Sequence, residues 1–281
     1  MINPKLLKDP TIREILLNRD PLIDWAGFDH INQKRKDLQT QTEQLQAQRN
    51  ILAKQMKDVS DEAKQECLQQ GASIRARIQQ NQESLEKLLK QEEDFLMRLP
   101  NLPHPTVPKG RDENDNVVIF QSQDPIVNPE ALDHVEIGNT FGLDQEASAQ
   151  LSGTRFAVMK GPLARLHRAL VQLMLDTHTD SGYEEVYVPY LVKEEALKGT
   201  GQLPKFEEDL FKTKTHYLIP TAEVPLTNLV AHQTTPIDHL PIKLVAHTPC
   251  FRQEAGAAGR DTKGLIRQHQ FEKVELVQVV H

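Results

Sequence analysis

The chain has 281 residues, of which 38% are apolar and 5% aromatic, and it carries a formal net charge of −7 at pH 7. This length suits one large domain or two ordinary ones. The acidic balance argues against non-specific nucleic-acid binding, and the few cysteines exclude a disulfide framework. Neither a signal-peptide apolar region nor a stretch of membrane-spanning length is visible, so we expect a cytoplasmic protein with no membrane partner.

The first predicted helix begins at Asp9-Pro10, because Asp9 suits the N-cap and Pro10 suits the first helical position. We expect this helix to end near Arg19. Residues 28–98 then have an unusual composition, with no proline, a single glycine and much Gln, Lys, Glu and Leu. Basic and acidic side chains are balanced in this segment, so an RNA partner would meet local basic faces rather than a global field.

Two helical seams run through residues 28–98. In the first half apolar residues recur every seven positions, and in the second they step by threes, fours and sevens. They are Ile31, Leu38, Leu45 and Leu52, then Ile74, Ile78, Leu85, Leu88, Phe95 and Leu99. With a break at residues 58–61, this pattern predicts an antiparallel hairpin of two helices, each roughly 45–55 Å long.

Polar residues interrupt both seams, so we expect an arm of moderate stability. They are Arg35, Thr42 and Arg49 in the first helix and Asn81 and Glu92 in the second. Taken alone, such a segment is usually a dimerising or spacer coiled coil.

A proline-rich stretch marks the domain boundary. Its prolines at positions 100, 103, 105 and 108 can continue neither helix nor sheet, and they predict a stiff, extended linker. We therefore expect one domain over residues 1–99, a linker over 100–110 and a second domain over 111–281. Residues 109–150 look irregular, with short apolar pieces such as 117–120.

The second domain continues with a helix from Leu163 to about His178, and Gly182 suits its C-terminal stop. Its apolar face comprises Leu163, Leu166, Leu170, Leu173 and Met174. We expect a strand over 185–188, a loop over 199–204, a strand that ends at Ile219 and a helix over 224–232.

Two apolar, β-branched runs, 242–250 and 271–280, flank a polar loop that contains Gly256, Gly259 and Gly264. They predict an antiparallel strand pair joined by a long, mobile loop. Arginines, carboxylates and a phenylalanine then converge at one end of the hairpin. Guanidinium forks suit phosphate oxygens, an aromatic face suits a base and a carboxylate suits an amino group, so this set predicts a nucleotide triphosphate site.

Two stretches resemble the second signature motif of class II aminoacyl-tRNA synthetases, specifically seryl-tRNA synthetases. They are Phe251-Arg252-Gln253-Glu254-Ala255-Gly256 and Arg267-Gln268-His269-Gln270-Phe271-Glu272-Lys273-Val274-Glu275. Thr221-Ala222-Glu223 fits a further word of that family. The helix and strand over 163–188 resemble, more loosely, the first motif, which builds the family's two-fold dimer interface. An ordinary amphipathic core helix explains the same pattern.

The resemblance implies a serine–tRNA ligase of α+β class. Such an enzyme has an N-terminal two-helix coiled-coil arm, followed by a class II domain with an antiparallel sheet flanked by helices. It activates L-serine with ATP to seryl-adenylate and transfers serine to the 3′ end of tRNA(Ser). The family also charges tRNA(Sec) with serine. A homodimer and Mg²⁺ are likewise implied.

The resemblance also carries residue roles. Arg252 is the implied catalytic residue, which bridges the α-phosphate and the serine carboxylate. Thr221, Ala222, Glu223, Arg252 and Glu275 are the implied serine-binding residues, with Glu275 on the ammonium. Arg252, Gln253, Glu254, Arg267 and Phe271 are the implied ATP-binding residues, with Glu254 facing the adenine, Arg267 the outer phosphates and Phe271 stacked on the ring.

The implied partner of the arm is the long variable arm of the tRNA. Candidates for phosphate contacts are Lys34, Arg35, Lys36, Arg49, Lys54, Arg75 and Arg77, although a solvated helix face explains each one singly.

The chain ends at the second strand of the hairpin, before the family's third motif and Mg²⁺ ligands. We expect no metal ligands in this chain, an incomplete sheet and no synthesis of seryl-adenylate by the chain alone. A non-catalytic relative that binds tRNA or a protein through the arm is the alternative.

Overall fold

The computed structural model describes residues 2–55, 61–110, 112–123, 128–255 and 263–281, with the backbone alone for 61–63. Residues 58–60 of the predicted helix break and Gly256 and Gly259 of the predicted loop lie outside this part. The chain divides into two compact units, Met1–Gln121 and Ser122–His281.

The first unit is built from three helices. Helix α1 follows the predicted cap, since the Asp9 side chain accepts a hydrogen bond from the Thr11 amide and Pro10 stands at the first position. Helices α2 and α3 are the two halves of the predicted arm. The bounds are α1 Pro10–Arg19, α2 Trp25–Gln55 and α3 Asp61–Arg98.

An aromatic cluster closes the base of the arm. Phe28 of α2 stacks on Phe95 of α3 with ring centroids 4.5 Å apart, and Trp25 contacts Phe95 edge-on at 5.7 Å. Leu7 and Leu16 of the N-terminal turn and helix are fully buried in the same core. Phe28 stacks on Phe95, and Leu52 and Ile74 line one cavity further along the arm. The two helices therefore run antiparallel, as predicted.

Three of the polar interruptions, Arg35, Thr42 and Glu92, are partly or fully buried in the arm, whereas Arg49 is exposed. The Arg35 Nε lies 2.9 Å from Oε2 of Glu92, and only 24% and 15% of these side chains are exposed. Thr42 is buried, and its hydroxyl donates to the Leu38 carbonyl oxygen. Arg35 and Glu92 therefore form an ion pair across the arm, although the Arg35 Nε does not meet hydrogen-bond geometry. Thr42 satisfies its hydroxyl within its own helix.

The proline-rich segment contains no helix or strand over its described residues 99–110. The apolar piece beyond it is exposed, with Ile119 and Phe120 at 94% and 82% of their full accessible surface.

The second unit contains five helices and five strands within its described residues. They are α4 His134–Phe141, α5 Gln145–Ser152, α6 Gly161–Asp180, β1 Glu184–Glu185, β2 Leu191–Val192, α7 Glu194–Gly199, β3 Tyr217–Leu218, α8 Glu223–Asn228, β4 Ile242–Phe251 and β5 Gln270–Val279.

Helices α4 and α5 correct the prediction that residues 109–150 are irregular. Each has only eight residues, so neither shows a long apolar period, and local capping holds them instead. Asp133 and Glu136 form a capping box at α4, and Asp144 caps α5. The Asp-x-x-Glu spacing at 133–136 was the sequence signal that could have revealed α4.

Helix α6 confirms the predicted helix, and Gly182 follows it in the left-handed region at φ 84°. Leu166, Leu170 and Leu173 on its apolar face are about half exposed or more, at 53%, 48% and 61%. An ordinary amphipathic helix buries its apolar face in the core, whereas these leucines of α6 are largely exposed.

The main sheet has the order β1-β4-β5. Strands β4 and β5 pair antiparallel over their whole length, from Ile242 opposite Val279 to Phe251 opposite Gln270, as predicted. Strand β1 pairs parallel with β4, so the sheet is mixed rather than wholly antiparallel. Strand β1 spans two residues instead of the predicted 185–188, and α8 ends at Asn228 instead of 232.

Two buried clusters fix the loop that precedes α8. One contains Ile219 and Val224, and the other contains Ala222, Leu226 and Ala246, all fully buried. The short segment 219–226 therefore inserts side chains alternately into both clusters, which holds it firmly against β4. No helix of the described chain has the length and hydropathy to cross a membrane.

The Arg35–Glu92 pair generates a prediction. We expect Glu92→Met to destabilise the first unit by about 1–2 kcal/mol, between the values for exposed and buried ion pairs, because Arg35 keeps a half-buried charge. The double variant Arg35→Met, Glu92→Met should recover most of that loss. Urea unfolding followed by circular dichroism at 222 nm measures both, with the exposed Glu93→Met as control. Equal losses in the single and double variants would contradict the pairing.

Candidate active site

The β4–β5 register places the motif side chains on one face of the sheet. Phe271, Lys273 and Glu275 alternate along β5, and their partners on β4 are Cys250, Thr248 and Ala246. These three partners are almost fully buried and small. Because successive strand residues point to opposite faces, the three β5 side chains stand on the same side, above small neighbours that leave room for them.

The backbone that follows β4 is anchored at several points. The Arg252 amide donates to the His269 carbonyl oxygen at 3.0 Å, and the Gln253 amide donates to the Asp209 carbonyl oxygen at 2.8 Å. The Asp209 carboxylate accepts from the Ala255 amide at 3.1 Å. Glu254 lies between these anchors in the left-handed region, at φ 49°. The short segment 252–255 is therefore held in a defined, sharply turned path.

Arg252 lies between the two motif strands and the 219–223 segment. Its Nε donates to the Pro220 carbonyl oxygen at 3.3 Å, and its guanidinium carbon lies 5.1 Å from the centre of the Phe271 ring. The Arg252 guanidinium and the Phe271 ring, which the sequence predicted to bind one nucleotide, are therefore within contact distance of each other.

Glu254 and Arg267 form an ion pair, with 2.9 Å between Oε2 and Nη1. The glutamate side chain is 13% exposed and the arginine side chain 43%. Arg155 donates to the Glu254 carbonyl oxygen at 3.0 Å. The two ends of the hairpin loop are therefore joined by opposite charges in the structure.

A second polar cluster lies on the same face. The Thr221 hydroxyl donates to Oε2 of Glu275 at 2.8 Å and accepts from Nζ of Lys273 at 2.5 Å. Lys273 also forms an ion pair with Glu275. Ala222 is fully buried beside this cluster, and Glu223 is exposed at the start of α8. The structure thus brings together one ammonium, one hydroxyl and one carboxylate.

Comparison with known proteins identifies the family. The model of the seryl-tRNA synthetase N-terminal domain matches residues 1–103, and that of the tRNA synthetase class II core domain (G, H, P, S and T) matches residues 205–281. The serine–tRNA ligase of Neisseria meningitidis serogroup B is 49% identical over 297 aligned residues, which cover 100% of this chain and 69% of the relative. The chain belongs to the seryl-tRNA synthetase family. The relative from Polynucleobacter asymbioticus is 48% identical, with 99% and 69% covered.

Solved structures agree with this family. The seryl-tRNA synthetase of Pyrococcus horikoshii complexed with ATP matches with a TM-score of 0.86 at 31% identity, over 98% of this chain and 69% of that one. The cytoplasmic serine–tRNA ligase of Naegleria fowleri in complex with AMP matches with a TM-score of 0.77 at 27% identity, over 99% and 64%. The predicted α+β fold and the predicted class II ligase family are confirmed.

Sequence reasoning missed several residues of this synthetase site. Lys273 lies within a quoted motif word, but its charge was assigned no role. Asp209 and Arg155 come from segments with no family word, and they hold the 252–255 backbone. The signal for Lys273 was its alternation with Phe271 and Glu275, since period two places all three on one face.

The carboxylates of the synthetase site do not fit a metal ion by themselves. Glu254 is paired with Arg267, and Glu275 with Lys273 and Thr221. Among the residues that the structure describes, no group of three or more His, Cys, Asp or Glu side chains could hold a metal ion.

The basic residues predicted for RNA all lie on α2 or α3 of the first unit. Arg35 is engaged with Glu92, whereas the other six are exposed. These are Lys34, Lys36, Arg49, Lys54, Arg75 and Arg77.

Cys250 generates a prediction, because it lies opposite Phe271 and is fully buried. Burial raises the pKa of its thiol, so the reactive thiolate is scarce below that pKa. We expect iodoacetamide at pH 8 to modify the half-buried Cys67 and to spare Cys250 until urea unfolds the chain, as read by peptide mass spectrometry. A Cys67→Ser variant isolates Cys250. Alkylation of native Cys250 at the rate of the unfolded chain would contradict the buried placement.

Proposed function

We propose that the face formed by Arg252, Phe271, Glu275 and Thr221 binds ATP and L-serine for the activation step of a serine–tRNA ligase. The observation that carries this proposal is the juxtaposition of Arg252 with Phe271 and, two and four residues along the same strand face, Lys273 and Glu275. One end of this face presents a phosphate-binding fork beside an aromatic ring, and the other end presents a carboxylate for an ammonium group.

The ATP end of the site uses four side chains in this proposal. Phe271 stacks on the adenine, and Glu254, with the Gln253 backbone, faces the exocyclic amino group. Arg252 contacts the α-phosphate, and Arg267 contacts the outer phosphates. Glu254 and Arg267 pair with each other in the structure. In this proposal each of them exchanges that ion pair for its contact with the nucleotide.

The serine end lies beside the buried 219–226 segment. Glu275 accepts the ammonium group, Thr221 and Glu223 line the pocket, and Arg252 holds the carboxylate against the α-phosphorus. An oxygen of that carboxylate attacks phosphorus and pyrophosphate leaves, after which a ribose hydroxyl of the tRNA attacks the acyl carbon and AMP leaves. Positioning and charge stabilisation carry such displacements, so no side-chain nucleophile is required.

Mg²⁺ enters the proposal only as the ion that the family uses with ATP. Glu254 pairs with Arg267, and Glu275 contacts Lys273 and Thr221, so neither carboxylate is proposed as a ligand of the ion.

The remaining assignments concern tRNA, assembly and compartment. We propose that residues 1–99 bind tRNA(Ser), and tRNA(Sec) where it occurs, through exposed basic residues of α2 and α3. Residues 100–110 are then the linker, and residues 111–281 are part of the class II core. The half-exposed apolar face of α6 supports a homodimer through that helix. We place the ligase in the cytoplasm.

Arg252 gives the sharpest test of the ATP–serine site. In the proposal its planar fork contacts both the phosphate and the acyl carbonyl oxygen of the adenylate, which a lysine ammonium cannot reproduce. We expect Arg252→Lys to weaken binding of a non-hydrolysable sulfamoyl analogue of seryl-adenylate roughly tenfold to hundredfold, the range for hydrogen bonds to charged groups. Isothermal titration calorimetry measures the affinity.

The matched control is Arg98→Lys at the exposed end of α3, which should leave the affinity unchanged. An effect of Arg252→Lys below threefold would remove Arg252 from its bridging role. If the unsubstituted chain bound tRNA but not the analogue, the non-catalytic alternative would be favoured instead.

The arm gives a separate test. We expect replacement of the six exposed basic residues predicted for RNA by glutamine to weaken tRNA(Ser) binding. It should also lower the salt dependence of binding by about one slope unit for each phosphate that the variant no longer neutralises. Binding of the adenylate analogue should stay unchanged. Filter binding across a salt series measures the slope, with Lys193, Lys205 and Lys214 replaced by glutamine as the control. A slope equal to that of the control would rule out phosphate binding by the arm.

A further inference from the structure

Lys273 is the one charged side chain within the Thr221–Glu275 cluster that the proposed roles leave unexplained. It stands on β5 between Phe271 and Glu275, opposite Thr248. Its side chain is 30% exposed, and that of Glu275 is 19% exposed. A cation next to the carboxylate that should receive the substrate's ammonium group either competes with that group or prepares the carboxylate for it.

The hydrogen bonds of Thr221 distinguish these possibilities. Its Oγ1 accepts from Nζ of Lys273 at 2.5 Å and from the Glu223 amide at 3.2 Å. A hydroxyl has two acceptor positions and one proton, so both acceptor positions are filled. The proton must therefore point to its remaining partner, Oε2 of Glu275, at 2.8 Å. Lys273 thus makes Thr221 a committed donor to Glu275.

Both contacts to the carboxylate use the same oxygen. Oε2 of Glu275 receives the Thr221 hydroxyl and the Lys273 ammonium, and these two charge-assisted contacts fix the plane of the carboxylate. Within the described part of the chain both contacts leave Oε1 of Glu275 for a ligand. The neighbours on β4, Ala246 and Thr248, are fully buried, so they give the cluster a rigid floor.

We propose that Lys273 is a positioning residue for the amino-acid pocket. It holds Glu275 by Oε2, through direct pairing and through the Thr221 hydroxyl, so that Oε1 is aimed at the α-ammonium group of the substrate. This inference rests on the proposed function, in which Glu275 receives that ammonium. It adds that recognition of the ammonium depends on Lys273, a residue of the same charge as the group recognised.

The test compares two ligands that differ only in the α-ammonium group: the sulfamoyl analogue of seryl-adenylate and its deamino counterpart. The ratio of their dissociation constants isolates recognition of the ammonium. We expect Lys273→Met to reduce this ratio by about tenfold, the lower end for a hydrogen bond to a charged group. The deamino ligand should bind the variant as it binds the unsubstituted chain. Lys273→Arg keeps a cation and should restore part of the ratio.

Controls separate positioning from loss of fold. Lys243→Met on the other face of the sheet should leave both affinities unchanged, whereas a folding defect would weaken both ligands together. An unchanged ratio in Lys273→Met would overturn the inference, and an increased ratio would show that Lys273 competes with the ligand. Glu275→Gln tests the proposed function separately. If Glu275→Gln left the ratio intact, or if the unsubstituted chain bound neither ligand, the ammonium pocket itself would be wrong.

Discussion

The antiparallel pairing of β4 with β5 is the constraint on which the site depends. Ten residue pairs fix the register from Ile242–Val279 to Phe251–Gln270. A slip by one residue would turn Phe271, Lys273 and Glu275 to the opposite face, since strand side chains alternate. Val277 of β5 opposes such a slip, because it packs against the buried cluster that contains Leu244 and Ala246 and would turn to the other face. The packing of an apolar strand therefore determines where the polar chemistry lies.

Two ion pairs lie at the two ends of the site. Glu254 pairs with Arg267 at the ATP end, and Glu275 pairs with Lys273 at the serine end. A half-buried charge without a partner costs free energy, so each pair stabilises the carboxylate that it contains. The two pairs have different fates in our proposals: the first separates when ATP binds, whereas the second persists and orients its carboxylate.

The arm shows the same pairing of charges on a long scaffold. Its seam is weak in apolar residues, yet Arg35 and Glu92 pair where the pattern fails, and the aromatic cluster of Phe28 and Phe95 closes the base. Six other basic side chains that the sequence predicted for RNA are exposed along the two helices. Since exposed basic residues add little to stability, they are available for an anionic partner.

The sequence by itself determined the long-period elements. A seven-residue repeat predicted the first arm helix, and apolar steps of three, four and seven residues predicted the second. The Asp9-Pro10 cap predicted the start of α1, and two β-branched runs predicted β4 and β5. The family words also brought Arg252, Glu254, Arg267, Phe271, Glu275 and Thr221 to notice. Each of these signals lies within a continuous stretch of sequence, so it can be recognised without knowledge of tertiary contacts.

Only the tertiary structure decided the short elements and the pairing of charges. Helices α4 and α5 are too short for a visible period, and β1 consists of two residues that exist as a strand because β4 lies beside them. The partnership of Arg35 with Glu92, and of Lys273 with Thr221, joins residues far apart in the chain. No local pattern encodes such contacts, because they arise when packing brings distant segments together.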